Sequence, residues 1–567
     1  MGLRDLVSKS NMDGPLVSAS SSSSGSLVGG KSVAQWISEI KAGQAKPAEV
    51  QPRQAFRNGI VQARIHAERD KFIASIRDED VLQLAQSYHG GDICTFFKPP
   101  ARGSYNVCYF VHFPPRGQDQ GCGDKWVVRL PLEPCLAHGS ANKLRGEVAT
   151  MQLVAEKTTI PIPSIRAYAF GDGPQPFPSF IILQYLEGQK LSVPLKELSD
   201  QRRDCLYASL ADIYLQLRRL DFPAIGRLAQ KPRGCGSEVG VRAITIHLNM
   251  QELEGLAPSD IEDQYYGNSG RTLSSANAYA QMLLEIGYRA LIEGPNASSE
   301  EEAGDQLYHI HIFRRYVEEH WIDRDLDSGP FVLVHGDLEP FNLLLDDDMN
   351  VVAVLDWEWS RVVPLQLFTP PLWLSNTRVE DLSYGFRYKL YLQRFDRFLG
   401  VLRARERQLY GNELLADEWE RAKKKSGFLV ANALENWTAM DWFANRFINF
   451  EVYGGKSDLQ ERVDFYVNGE PGRQELTKKM AARWNACVAE LEQFDRDSKR
   501  NRATEALSET PQTSRGAEQV LPTEYIISQA KDLCVRVRAR PLPFILGVLL
   551  VLGSGTLFLS GRQRFLR

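Results

Sequence analysis

The stretch FVLVHGDLEPFNLLLDDDMNVVAVLDWE, residues 331–358, decides the fold of this chain. It opens with an apolar run, 331–334, of the kind that forms a buried strand. The sequence His335-Gly336-Asp337 follows at once. A carboxylate is therefore expected on the loop directly after the strand, a common place for residues that carry chemistry.

A hairpin is predicted directly after this loop. Two short apolar runs flank a polar turn, so antiparallel pairing would place Asn342 roughly opposite Val354. Asn342 and Asp356 would then be neighbours at one end of the hairpin, beside the loop that carries Asp337. Two carboxylates and one amide would converge there. Such a set suits Mg²⁺ with bound phosphates and a carboxylate that accepts a hydroxyl proton.

The same residues resemble the catalytic core of the aminoglycoside phosphotransferase family, a branch of the protein-kinase-like fold. Its members share an H-G-D-x-x-x-x-N loop followed by a strand pair and an aspartate. His335, Asp337, Asn342 and Asp356 stand in that order and at that spacing. The alternative is a polar loop between strands of an unrelated α/β domain. The resemblance implies a bilobal α+β fold, with an antiparallel-sheet N-lobe and a helical C-lobe.

The resemblance also implies the chemistry of the site. Asp337 is predicted to be the catalytic base, since one carboxylate accepts or orients the attacking hydroxyl in phosphoryl transfer. Asn342 and Asp356 are predicted to hold Mg²⁺ against the phosphates of ATP; an Asx turn is the alternative for Asp356. His335 is expected to brace the loop by hydrogen bonding, with a role in the chemistry as its alternative.

Two charged residues upstream are candidates for nucleotide binding. Arg129 lies in the predicted strand KWVVRL, where kinase-like folds carry a phosphate-contacting lysine. Arginine stays charged and can bind phosphate in a bidentate manner, so it suits the same role. Glu147 lies at the edge of the apolar face of a predicted helix, 141–157, and the resemblance pairs it with Arg129. A surface arginine and an exposed glutamate are the alternatives.

The phosphate-covering loop is expected at Gly103 and Ser104, before the first strand of the N-lobe. It departs from the G-x-G-x-x-G pattern, but backbone N–H groups around these residues would still hold phosphate. Residues 179–188, SFIILQYLEG, resemble the strand that leads to the hinge of the family. The resemblance implies that the main chain from Gln184 to Leu186 contacts the adenine.

The overall composition restricts the class of partner. The chain has 567 residues, and its 67 basic and 71 acidic residues give a net charge of −4. Nucleic acid is not expected as a partner, because that would require a basic excess or stripe. Eight cysteines are scattered without a CxxC pair. They are expected to be free thiols in a reducing compartment.

The composition changes along the chain predict six segments, and the two lobes together form the region that resembles the family. Gly/Ser-rich and charged stretches mark the segments without a packed core. The segments are a disordered N-terminus (1–31), a helical extension (32–89), the N-lobe (90–188), the helical C-lobe (189–494), a linker (495–540) and a membrane span (541–561).

The predicted membrane span rests on residues 541–560, PLPFILGVLLVLGSGTLFLS, which contain no charged residue over twenty positions. A helix of about 20 residues matches the ~30 Å hydrocarbon core of a bilayer. A single-pass C-terminal anchor is therefore expected, with the kinase-like body on the cytosolic side. A buried core helix is the alternative.

The function predicted from these features is ATP-dependent transfer of a phosphoryl group to a hydroxyl of a small molecule. A membrane-tethered pseudokinase that binds nucleotide or a partner without turnover is the alternative, because Arg129 and the loop at Gly103 depart from the usual pattern. A protein kinase is disfavoured, since no A-P-E segment or activation loop follows Asp356.

The acceptor is not defined by the sequence, and choline-like, sugar-like and other metabolite hydroxyls all fit. Several aromatic residues near the catalytic stretch and in the C-lobe are candidates for the acceptor pocket, with a place in the core as the alternative. They are Trp357, Trp359, Phe368, Trp373, Trp437 and Trp442.

Overall fold

The computed structural model describes residues 27–28, 31–32, 55–115, 123–191, 194–231, 236–267 and 272–508. The chain divides into two units. In the first, Met1–Pro52 with Lys531–Arg567, the described residues form a two-strand ladder of β1 (Leu27–Val28) and β2 (Lys31–Ser32). The second, Arg53–Ala530, contains the lobes and is described below.

Two helices, α1 (Ala55–Ala74) and α2 (Asp78–Tyr88), precede the sheet. The first turn of α2 carries three acidic residues, 78–80, which favour the positive end of the helix dipole. These helices lie within the predicted helical extension.

A five-stranded antiparallel sheet follows, in the spatial order β3-β4-β5-β7-β6. Helix α3 (Ser140–Lys157) connects β5 to β6. The strands are β3 (Thr95–Arg102), β4 (Asn106–Phe113), β5 (Asp124–Pro131), β6 (Ile165–Phe170) and β7 (Ser179–Gln184). This sheet and its helix confirm the predicted antiparallel-sheet N-lobe.

The two faces of the sheet pack against different cores. Val128 of β5 and Ile182 of β7 join the cluster formed with α1 and α2. Their sequence neighbours Val127 and Ile181 face the larger cluster that contains α3 and the C-lobe. Because side chains alternate along a strand, Arg129 lies on the same face as Val127 and points towards the cleft between the lobes.

The rest of the unit is largely helical, as predicted for the C-lobe. Its helices are α4 (Asp200–Arg218), α5 (Ile246–Leu253), α6 (Ser259–Tyr266), α7 (Ala276–Glu293), α8 (Glu300–Tyr316), α9 (Gly385–Tyr410), α10 (Leu414–Lys424), α11 (Gly427–Leu434), α12 (Trp437–Phe443), α13 (Asn449–Glu451), α14 (Leu459–Asn468) and α15 (Pro471–Ser508). Its strands are β8 (Asp221–Phe222), β9 (Arg227–Gln230), β10 (Ser237–Val241), β11 (Phe331–Val334), β12 (Leu343–Leu345), β13 (Val351–Val354) and β14 (Arg361–Pro364).

The quoted stretch folds as a strand, a loop and a hairpin. Strand β11 is buried and pairs with β14 on one side and β8 on the other. The hairpin β12–β13 pairs Leu343 with Val354, so the predicted partner of Val354 is off by one residue. A register irregularity follows between Leu344 and Leu345. The N–H of Leu355 donates to the carbonyl of Asn342 at 2.8 Å and closes the end of the hairpin.

The predicted membrane anchor is corrected by the structure. No helix within the described ranges is both long enough and apolar enough to cross a bilayer. The last described helix, α15, carries charged side chains along its length and ends at Ser508, so the predicted linker boundary at 494 falls inside it. The segment 541–561 lies outside the described residues. A charge-free run of suitable length meets only one of the requirements for a membrane-spanning helix. The predictions of a membrane anchor and of a membrane localisation are therefore both withdrawn.

Candidate active site

The loop after β11 depends on a glycine. Gly336 has φ +85°, a conformation that side chains rarely adopt. A Cβ at this position would lie 2.2 Å from the carbonyl oxygen of Trp359. The chain can therefore turn here, and bring Asp337 close behind β14, only with glycine at 336.

His335 holds this loop in place. Its Nε2–H donates to the carbonyl of Leu355 at 2.8 Å, and its Nδ1 accepts the N–H of Asp337 at 3.3 Å. Burial lowers the pKa of His335 to about 4, so the ring is neutral at neutral pH, as these two bonds require. The imidazole fixes the loop to the end of β13, which agrees with the expected bracing role.

Asn342 connects the loop to the hairpin. It is buried, and its Nδ2–H₂ donates to the main-chain carbonyl of Asp337 at 2.8 Å and to Asp337 Oδ2 at 3.1 Å. Both amide hydrogens are thus used within the loop, and the amide oxygen Oδ1 is the group that remains for a cation. Trp373 supports the same loop, because its Nε1–H donates to the carbonyl of Leu338 at 2.9 Å.

The carboxyl of Asp337 has an unusual proton affinity. Burial raises its pKa to about 7, and the negative charge of Asp356 acts in the same direction. The hydrogen bond from Asn342 opposes the rise. A carboxylate with a pKa near neutrality can both accept and release a proton at physiological pH, which is the property of a general base.

Asp356 follows β13 with φ +69°, a left-handed backbone conformation. Such a conformation in a residue other than glycine is uncommon and is concentrated at functional sites. Its side chain is 32% exposed, and Oδ1 accepts a hydrogen bond from Arg129 Nη2. The structure therefore brings Arg129, from the N-lobe sheet, to the end of the β12–β13 hairpin.

Arg129 is the centre of a buried ion network. Its Nη1 donates to Glu147 of α3, and its Nη2 donates both to Asp356 and to Glu358, the latter at 2.6 Å. Burial disfavours the cation, but the charges of Asp356, Glu147 and Glu358 outweigh this and hold the pKa of Arg129 well above its usual value. Burial raises the pKa of Glu147, and Arg129 opposes that rise.

Three further residues of the network are not among the predicted site residues. Glu358 is buried and accepts hydrogen bonds from Asn106 Nδ2 at 2.6 Å and from Lys143 Nζ. Lys143 also donates to Asn106 Oδ1 at 3.4 Å. Glu358 stands two residues after Asp356, and Lys143 one helical turn before Glu147. The i, i+4 spacing placed Lys143 on the face of Glu147 and was the available indication.

The predicted phosphate loop is preceded by a strand that the sequence did not indicate. Gly103 and Ser104 belong to the hairpin turn between β3 and β4, whereas the sequence suggested a loop before the first strand. The N–H of Gly103 donates to the carbonyl of Asn106 at 2.8 Å. The backbone N–H of Gly103 is thus used within the turn, which leaves less of the main chain for a phosphate than expected.

The hinge candidates lie at the end of β7. The N–H of Gln184 donates to the carbonyl of Ser164 at 2.9 Å, and that of Tyr185 to the carbonyl of Lys125 at 2.9 Å. Leu186 follows the strand. Close by, Lys98 Nζ lies 4.6 Å from the ring centre of Tyr185, so this edge of the cleft combines aromatic surface with positive charge.

The aromatic candidates for the acceptor pocket are mostly core residues. Five of the six are buried: Trp357, Trp359, Phe368, Trp373 and Trp437. Trp442 is half-buried, and the guanidinium of Arg446 lies 4.8 Å from its ring centre. The structure supports the core alternative for the five buried rings.

The comparison with known families agrees with this geometry. The sequence pattern of the phosphotransferase enzyme family matches residues 97–365, a span that runs from β3 to β14 and includes the loop, the hairpin and the ion network described above. Residues 97–365, somewhat less than half of the chain, are therefore similar to the phosphotransferase enzyme family. The predicted class of enzyme is confirmed.

Individual relatives are more distant. The clavilactone A biosynthesis cluster protein Y of Ampulloclitocybe clavipes is 26% identical over 257 residues, which cover 43% of this chain and 56% of that protein. The match thus spans little more than half of the relative.

Solved structures show a looser likeness. A type I macrolide 2′-phosphotransferase is 13% identical, with 65% of this chain and 96% of that chain covered and a TM-score of 0.34. The aminoglycoside phosphotransferase APH(2″)-IIa, solved with streptomycin and ATP, is 12% identical, with 62% and 99% covered and a TM-score of 0.32. Likenesses at these scores are too remote to assign residues.

Proposed function

We propose that this protein is an ATP-dependent phosphotransferase that moves the γ-phosphoryl group to a hydroxyl of a small molecule. The observation that carries the proposal is the convergence of Asp337, Asn342 and Asp356 at one end of the hairpin, linked by direct hydrogen bonds to each other or to Arg129. The family to which residues 97–365 match supports the reaction class.

In the proposed reaction, Asp337 accepts the proton of the acceptor hydroxyl. The hydroxyl oxygen forms a bond to the γ-phosphorus, the bond from that phosphorus to the β–γ bridging oxygen breaks, and ADP leaves. The pKa of Asp337, raised by burial to about 7, suits this task, because a base works best when its pKa lies near the operating pH.

The site residues fit a divalent cation. Among the described residues, Glu147, Asp356 and Glu358 form ion pairs with Arg129 and Lys143, and the charges of Asp356 and Glu358 also act on the carboxyl of Asp337. The four carboxyls and two cations carry two net negative charges when all are ionised. No cluster of three or more His, Cys, Asp or Glu side chains with ligand spacing occurs in the described part of the chain. Asn342 Oδ1 and the Asp356 carboxylate are the oxygens that would hold Mg²⁺, together with phosphate oxygens of the nucleotide. The ion would neutralise charge that develops on the phosphoryl group.

Arg129, oriented by its ion pair with Glu147, is proposed to bind the nucleotide phosphates. The turn at Gly103 and Ser104 is proposed to cover the same phosphates. The main chain from Gln184 to Leu186 is proposed to contact the base. The acceptor is proposed to be a small molecule with a free hydroxyl, in keeping with the names of the related phosphotransferases.

A nucleotide-binding protein without turnover is the second candidate. The observation in its favour is the hydrogen bond from Arg129 to Asp356, because it occupies one oxygen of a proposed metal ligand. The three chemical residues Asp337, Asn342 and Asp356 are nevertheless all present.

The full-length chain, incubated with γ-labelled ATP, Mg²⁺ and a panel of aminoglycosides, macrolides, sugars and amino alcohols, tests the proposal. Labelled product is expected with at least one acceptor, and Asp337→Ala should abolish it. Asp347→Ala, in the exposed turn of the same hairpin, is the matched control and should keep the activity. ATP binding without product on any acceptor would favour the second candidate, and product formation that survives Asp337→Ala would exclude Asp337 as the base.

A further inference from the structure

Lys143 is a buried ammonium inside the candidate site. Lys143 is only 4% exposed. Its Nζ donates to Glu358 and, at 3.4 Å, to Asn106 Oδ1. The rings of Tyr105 and Trp359 enclose it, with centres 6.0 and 5.6 Å from Nζ. A lysine almost never becomes so deeply buried without a paired charge, and here the pair is part of the proposed nucleotide site.

The partner of Lys143 connects three segments of the site. Glu358 Oε2 receives hydrogen bonds from Asn106 Nδ2 and Arg129 Nη2, each at 2.6 Å, and from Lys143 Nζ. Asn106 opens β4 directly after the hairpin turn proposed for phosphate. Asp356 lies two residues before Glu358. The position of this one carboxylate therefore affects the turn, the strand arginine and the proposed metal ligand together.

Arg129 alone does not balance the charge of the three carboxylates that it contacts. Its Nη2 is shared between Asp356 and Glu358, while Nη1 is used by Glu147. If Lys143 were absent, the single positive charge of Arg129 would face three carboxylates, and the buried negative charge would be left poorly neutralised. Lys143 thus allows Arg129 to serve Asp356 and Glu358 together.

We propose that Lys143 is a positioning residue for Mg–ATP, which acts through Glu358 to fix the turn at Asn106 and the segment around Asp356 in one geometry. This inference rests on the proposed nucleotide use of the site. Helix α3 then contributes two charged residues to nucleotide binding, Glu147 and Lys143. Loss of Lys143 weakens that binding although Lys143 does not contact the nucleotide.

The test is a double-mutant cycle on the full-length chain with Lys143→Met, Glu358→Gln and the double variant. The dissociation constant of Mg–ATP is measured by calorimetry at 20 °C, a readout that needs no turnover. Removal of such an orienting partner weakens affinity by about 10- to 100-fold. Lys143→Met should show a loss of this size, and the double variant should bind no more weakly than the weaker single variant.

Lys157→Met is the control on the same helix, because Lys157 is exposed and its ion pair with Glu156 lies at the surface. It should bind Mg–ATP within about twofold of the wild type. Thermal stability of the four proteins of the cycle gives an independent readout. Each single variant takes one charged partner from a buried charge, whereas the double variant removes both charges, so the double variant should lose less stability than the two single losses together.

Three outcomes overturn the proposal. Wild-type-like Mg–ATP affinity in a folded Lys143→Met protein would make the residue structural only. Losses in affinity that multiply in the double variant would mean that Lys143 acts independently of Glu358. A wild-type chain that does not bind Mg–ATP would remove the basis of both this inference and the proposed function. Binding with the expected coupling, but no transfer to any acceptor, would sustain the inference and refute only the proposed reaction.

Discussion

Substitution of Asp337 by asparagine should stabilise the folded protein, and more so at high pH. Burial raises the pKa of this carboxyl from an ordinary 3.8 to about 7. The folded state therefore binds the proton more tightly than the unfolded state, and stability falls as pH rises from about 4 to 7. Each pKa unit corresponds to about 1.4 kcal/mol, so the ionised carboxylate destabilises the fold by up to about 4 kcal/mol above pH 7.

The variant Asp337→Asn removes this titration while it keeps an oxygen for the hydrogen bond from Asn342. The entropy of unfolding of a cooperative unit of about 480 residues is about 1 kcal/mol/K, so the gain in melting temperature should approach about 4 °C at pH 8. At pH 5 the wild-type carboxyl remains largely protonated in the folded state, and the gain should be less than about 2 °C. Partial exposure of the side chain makes these the upper values.

The assay is scanning calorimetry in EDTA at pH 5 and pH 8, with Asp347→Asn as the exposed control that should shift little at either pH. The same Asp337→Asn protein should be inactive in phosphoryl transfer. A change in melting temperature that is independent of pH, or a loss of stability at pH 8, would refute the argument that the buried carboxyl titrates near neutrality.

Three further substitutions, at residues that hold the site in place, are tested by the free energy of unfolding in urea. Gly336→Ala should lose more than about 3 kcal/mol, because a Cβ would lie 2.2 Å from the Trp359 carbonyl oxygen in a left-handed conformation; a wild-type midpoint would contradict this. Arg129→Lys should lose about 3–5 kcal/mol, since one ammonium cannot replace both guanidinium nitrogens that contact the carboxylates; a loss below about 1 kcal/mol would mean that the pairs contribute little. Trp373→Phe should lose about 1 kcal/mol with the bond to Leu338, and an unchanged stability would show that this bond adds nothing net.

The fold could be predicted largely because its decisive residues are local. The loop, the hairpin and Asp356 lie within one stretch of the sequence, and apolar runs with a polar turn define both strands. The pairing was off by only one residue, since the hairpin closes with Leu343 opposite Val354. The alternation of Val127 and Val128 between two cores likewise follows from the period of a strand.

The contacts of Lys143 and Asn106 with Glu358 could not be predicted from local sequence patterns. Lys143 and Asn106 meet Glu358 across 215 and 252 residues of sequence, and no local period reports such a contact. Charged residues on a helix are usually exposed, so Lys143 gave no indication of burial. Strand β3 was not predicted upstream of the turn at Gly103, because it contains two prolines, although prolines are tolerated at a sheet edge.

The departure at position 129 has a structural explanation in this network. A lysine offers one nitrogen, whereas the guanidinium presents a planar fork that reaches Glu147 from one side and Asp356 and Glu358 from the other. Arginine at this position can contact more carboxylates at once than lysine could, and Glu358 is the additional one. That added carboxylate in turn requires another cation, which Lys143 provides. Arg129, Glu358 and Lys143 thus form one set, in which the arginine in the strand and the buried lysine in the helix depend on each other through a shared carboxylate.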